Sequence, residues 1–90
     1  MKFVIQYTLE PATYKAAVAR FLQTGGLPPA GVKMVGRWHG GGQGWIVAEA
    51  SDAKGIYEWI AQWSDLIRFP IATPVTEDQE TAEVLKKINP

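Results

Sequence analysis

The only histidine of the chain, His39, stands two residues after Arg37 in the run Gly36-Arg37-Trp38-His39-Gly40-Gly41-Gly42-Gln43-Gly44-Trp45. An imidazole titrates nearest to neutrality, so His39 could act as a general base, hold a ligand by a hydrogen bond, or bind a metal. The planar fork of Arg37 could orient a carboxylate or phosphate, or stabilise negative charge developing on a substrate. The two are therefore the candidate catalytic residues. A nearby guanidinium would favour the neutral, proton-accepting imidazole, whereas Glu49 or a carboxylate from another protomer would do the reverse. Structural roles are open to the same residues. His39 could donate to a backbone carbonyl at the hairpin, and Arg37 could pair with Glu49 or with a carboxylate across an interface, since a buried face seldom tolerates an unpaired charge.

Other chemistry is thinly supplied. One histidine and one carboxylate fall short of three or four protein ligands, and there is no cysteine, so neither a metal nor another cofactor is expected. The glycines at 40, 41, 42 and 44 join two strands, whereas a phosphate loop leads from a strand into a helix N-terminus. They read as a hairpin. Of the four tryptophans, Trp38, Trp59 and Trp63 fit a plain core. Trp45 is the one placed to stack on a planar ligand or to anchor an interface. Asp52, Asp65 and the acids at 77, 78 and 80 read as caps or solvated helix ends.

The elements that must position these residues follow from periodicity. Lys2 to Leu9 alternates, with Phe3, Ile5, Tyr7 and Leu9 on one face and Val4, Gln6 and Thr8 on the other, as in a half-buried strand. A helix starts at Glu10-Pro11, carries Tyr14, Ala17, Val18, Phe21 and Leu22 on one stripe, and stops at Gly25-Gly26. After the stiff connector Leu27-Pro28-Pro29-Ala30-Gly31, Val32 to His39 and Gly44 to Ala50 form a hairpin. Strict alternation groups Met34, Gly36 and Trp38 with Ile46 and Ala48. It sets Arg37 and His39 beside Trp45, Val47 and Glu49. Ser51-Asp52 caps a second helix with Ile56, Trp59, Ile60 and Trp63 in line. Arg68 to Val75 is a strand whose two prolines confine it to an edge or a bulge. Thr76-Glu77-Asp78-Gln79 has capping-box spacing before a last helix carrying Ala82, Leu85 and Ile88.

The order strand, helix, strand, strand, helix, strand, plus a C-terminal helix, predicts an α+β ferredoxin-like split βαβ domain over residues 1–90, with helices on one face of a four-stranded antiparallel sheet. The other face would carry Val4, Val35, Val47, Trp45 and Ala72 among Gln6, Thr8, Lys33, Arg37, His39 and Glu49. That much apolar surface without a helix marks an association face, which a second copy could cover by two-fold symmetry. The last helix or the proline-bearing strand could reach across.

Arg37-Trp38-His39, the preceding Gly25-Gly26-x-Pro28-Pro29-x-Gly31-Val32-Lys33 and the later Tyr57-Glu58-Trp59-x-x-Gln62-Trp63-Ser64-Asp65 resemble an uncharacterised bacterial family of small proteins. Its architecture is similar to that of the dimeric α/β-barrel superfamily. The resemblance spans nearly the whole chain and implies a ferredoxin-like protomer pairing into a barrel. That superfamily includes quinol and antibiotic monooxygenases, haem-degrading enzymes, lactone isomerases and polyketide cyclases, and no catalytic set from them maps onto this sequence. Fold analogy therefore implies no reaction.

The bulk properties narrow the function classes. Nine basic and nine acidic residues give zero formal charge, which argues against a nucleic-acid partner. The absence of cysteine points to the cytoplasm, and no apolar run is long enough to span a membrane. The sequence thus predicts a homodimer with a cavity between paired sheets, lined by Gln6, Thr8, Arg37, His39, Trp45 and Glu49 and binding a planar or acidic small molecule. The enzymatic alternative is a cofactor-free monooxygenase or isomerase using His39. A purely structural dimer is the third.

Overall fold

In a computed structural model, described over residues 1–89, the chain runs β1 (Lys2–Leu9), α1 (Tyr14–Thr24), β2 (Val32–His39), β3 (Gln43–Ala50), α2 (Ala53–Ala61), β4 (Ile67–Val75) and α3 (Asp78–Ile88). Every adjacent strand pair is antiparallel, and the order across the sheet is β2-β3-β1-β4. This is the ferredoxin-like α+β arrangement. The core lies where α2 and part of α1 meet Phe3, Ile5 and Tyr7 of β1 and Ile46 and Ala48 of β3, with Ile56, Trp59 and Trp63 closing it from above.

Local chemistry sets the element boundaries. Gly25 ends α1 in the left-handed conformation at φ 76°, and its N–H bonds the Phe21 carbonyl. Asp52 caps α2 by accepting from the Lys54 N–H at 3.0 Å. The proline-bearing β4 is an edge strand, and it also carries a bulge, because Phe69 and Pro70 together face Tyr7. The expected capping box of α3 does not form. The helix starts one residue later, with Glu77 at the cap position, and the Glu77 carboxylate bonds Lys2 Nζ at 2.7 Å instead of an amide of its own helix.

The main departure from alternation is a bulge in β2. Met34 opposes Ala48, but Gly36 opposes Val47, so Val35 and Gly36 together face one residue of β3. Beyond the bulge every side chain of β2 changes face. Arg37 lies opposite Ile46 and His39 opposite Gly44, on the helix side, while Trp38 lies opposite Trp45 on the other. Trp38 is consequently 59% exposed and is no part of the core. Ala72 is also corrected, since it pairs with Ile5 on the helix side and leaves Ile71 and Thr73 on the uncovered face.

Candidate functional site

Helix α1 buries only Ala17. The expected apolar stripe is present, yet Tyr14 and Leu22 remain exposed, and the helix is tied down chiefly at its ends. Near the start, Thr13 Oγ1 donates to the Leu66 carbonyl at 2.7 Å. Along its outer side, Arg20 forms a two-pronged pair with Asp65, at 2.9 and 2.7 Å. At its C-terminal end, the Arg37 guanidinium donates to the carbonyls of Gly26 at 2.7 Å and Gly25 at 2.9 Å. Polar ties fix the helix over the sheet without requiring its apolar side to fill the space beneath.

That space is a cleft of about 260 Å³ between α1, α2 and the helix-side face of the sheet. Its walls are almost entirely apolar, including Ile5, Ala17, Val18, Phe21, Ile46, Trp59 and Phe69. The polar groups gather at one end, where Tyr7, Arg37 and His39 line it beside Gly26 and Gly40. Such a composition, greasy walls with a few convergent polar groups, is the usual character of a small-molecule site.

The polar end is built by contacts between three strands and a helix. Tyr7 Oη and His39 Nδ1 share a short hydrogen bond. The Phe21 ring meets the imidazole edge-on at 5.3 Å between centroids and lies under the Arg37 guanidinium at 4.9 Å. Tyr7 is brought close to β3 because Gly44 has no side chain there; a β-carbon at that position would run into the tyrosine ring. Burial pushes the Tyr7 hydroxyl pKa up, partly offset by the charge of Arg37. The phenol is therefore a neutral donor and acceptor at physiological pH. Burial pulls the Arg37 pKa down from its very high ordinary value, the neighbouring Tyr7 acting the other way. It remains a cation.

The six residues expected to share one cavity fall into two groups. Arg37 and His39 line the cleft under α1. Gln6, Thr8, Trp45 and Glu49 lie on the opposite side of the sheet, where Gln6 pairs with Trp45, Thr8 with Gln43, and Glu49 with Lys33 and Lys2. The bulge at Val35 is the reason. The expected Arg37–Glu49 pairing is likewise replaced by the clasp on the two glycine carbonyls. The imidazole bonds the Tyr7 hydroxyl, not a hairpin carbonyl. Alternation places Tyr7 only among the inward residues of β1. The signal that marks it further is the hydroxyl, since a phenol on a buried strand face needs a polar partner, and the chain has one histidine. Among the described residues, no group of three His, Asp or Glu side chains converges as a metal site.

A ferredoxin-like α+β domain with an apolar cleft under its first helix is the class that fold and site define. Within it, the chain belongs to DUF3303, a domain of unknown function, whose family model matches residues 1–89. Comparison with curated proteins and with solved structures returned no match.

Proposed function

We propose that this chain is a small-molecule-binding protein that works as a homodimer, with one ligand seated in the cleft under α1 of each protomer. The single observation that carries the reading is the cleft itself, about 260 Å³ of apolar space ending on Tyr7, His39 and Arg37. Its size suits a compact ligand, just below the ~300 Å³ at which drug-sized sites begin. Its polarity suits an apolar, planar body carrying one carboxylate or carbonyl oxygen, which the hydroxyl, imidazole and cationic guanidinium can receive.

Dimer formation is supported by the opposite face of the sheet. Val4, Val35, Val47, Trp38, Trp45 and Ile71 lie there without cover from α1 or α2, and Trp38, Trp45, Val35 and Ile71 are all exposed. Val84, Leu85 and Ile88 of α3 are exposed as well, and this helix buries no residue. Two apolar surfaces on one neutral chain fit a second copy better than water. A cytoplasmic setting accords with the lack of cysteine. No helix of the described residues is long and apolar enough to cross a membrane.

Phenylacetate, an aryl carboxylate of suitable size, tests the cleft. Saturation-transfer NMR is expected to show contact with the protein through the phenyl ring. Ala17→Leu, which grows into the cleft from α1, is expected to abolish that transfer while the circular dichroism spectrum stays the same. Equal transfer in both proteins would overturn the site.

A further inference from the structure

We infer that the Tyr7–His39 pair makes the cleft a catalyst of keto–enol tautomerisation for aryl-substituted carbonyl acids. The inference rests on the binding reading above and adds a reaction to it. Three observations meet at one place. The only imidazole of the chain lines an apolar cleft, its Nδ1 is engaged by a buried phenol, and the Arg37 cation lines the same end, with two of its N–H groups holding backbone carbonyls.

Engagement of Nδ1 leaves Nε2 as the ring nitrogen open to a bound molecule. It has no hydrogen-bond partner among the described residues. In the tautomer that leaves Nε2 bare, Nδ1–H donates to Tyr7 Oη, and the Tyr7 hydroxyl hydrogen is free for a substrate oxygen. An acceptor for a carbon-bound proton and a donor for a carbonyl oxygen then belong to one hydrogen-bonded unit. His39 is exposed, so a bound molecule must displace water before the apolar walls can strengthen both interactions. The raised pKa of Tyr7 keeps its proton in place at neutral pH.

The step balances without an outside reagent. Nε2 takes the proton from the carbon next to the carbonyl, and the C–H electron pair becomes the carbon–carbon double bond. The carbonyl π pair moves onto oxygen, which takes the Tyr7 hydroxyl proton. Tyr7 recovers a proton from Nδ1–H, so the imidazole ends neutral in its other tautomer. The substrate has changed from keto to enol with nothing gained or lost. The reverse passage resets the pair. Arg37 contributes fixed positive charge near the oxygen as the electron pair arrives there.

Phenylpyruvate meets every requirement, having an aryl ring, a carboxylate, and a ketone with an acidic benzylic C–H. Proton NMR in deuterated buffer reads loss of the benzylic signal, and saturation transfer in the same sample reads seating of the ring. The wild-type protein is expected to exchange the benzylic protons at least tenfold faster than buffer. His39→Gln is expected to return the rate to that of buffer with the ring still seated, and Tyr7→Phe to bring it most of the way there, since a general acid commonly supplies roughly 10²-fold or more. Seating of phenylpyruvate with exchange at the buffer rate would overturn the catalytic inference and leave the binding reading intact. Failure of both phenylacetate and phenylpyruvate to seat would overturn the two together. Exchange undiminished in His39→Gln would show that the imidazole is not the base.

Discussion

Trp38 stands directly opposite Trp45 on the face of the sheet that α1 and α2 leave uncovered. The pair exists because the bulge at Val35 turns Trp38 away from the helices. An aromatic pair so placed has the make-up of an interface anchor. Trp45→Glu puts a carboxylate on that face, and sedimentation velocity is expected to report a monomer where the wild-type chain sediments as a dimer. A variant that still sediments as a dimer would move the interface elsewhere.

Arg37 holds the end of α1 through a planar fork on two carbonyls. Lysine keeps the charge and loses the fork. Arg37→Lys is therefore expected to lower unfolding stability by about 1–3 kcal/mol, the scale of losing charge-assisted hydrogen bonds. Urea denaturation followed by tryptophan fluorescence measures it, and an unchanged midpoint would deny the clasp a structural role.

Gly44 leaves room for the Tyr7 ring across the β1–β3 pair. A methyl group there has to displace the ring. Gly44→Ala is expected to cost about 1–3 kcal/mol by overpacking and to show as a lower Tm by calorimetry. It should also weaken phenylacetate binding, because the Tyr7–His39 bond is at the mouth of the change. A Tm equal to that of wild type would mean that the tyrosine sits elsewhere.

Tyr7 gives the fold an alkaline dependence whose sign is fixed. Burial raises its folded pKa above the ordinary value of 10.0, so the unfolded chain gives up this proton first. The stabilisation is complete below about pH 10 and is lost as pH climbs through the higher folded value. Tyr7→Phe lacks that titration. Urea midpoints measured on either side of pH 10 should fall less steeply for the variant than for the wild-type chain, and parallel slopes would contradict the assignment.

Much of the fold can be read from the chain because the hydrophobic periods are clean. The alternation in Lys2–Leu9 places Phe3, Ile5 and Tyr7 inward, and the proline pair in β4 marks an edge or a bulge, of which the strand has both. Gly25 ends the first helix where glycine is expected to. The site is harder to read, for one physical reason. A period of two turns every later side chain to the other face when a single residue is inserted, and nothing in Met34-Val35-Gly36 separates a bulge from regular strand. His39 and Arg37 are singled out by their chemistry and both line the cleft, whereas Gln6, Thr8, Trp45 and Glu49, grouped with them by alternation, lie on the other face of the sheet. Tyr7 is missed as a site residue because its ring satisfies the inward pattern and conceals the role of its hydroxyl. The helix α1 stripe poses the complementary difficulty. Apolar spacing shows which side of a helix turns inward, but not whether the sheet beneath fills the space.

Both outer strands of the sheet, β2 and β4, carry a bulge, and β4 adds Pro70 and Pro74, which have no amide hydrogen to offer. A rim interrupted in this way is a poor template for a further strand, whether from a copy of this chain or from a misfolded neighbour. Growth by edge-to-edge stitching, the route to fibrils, is thus discouraged on either flank.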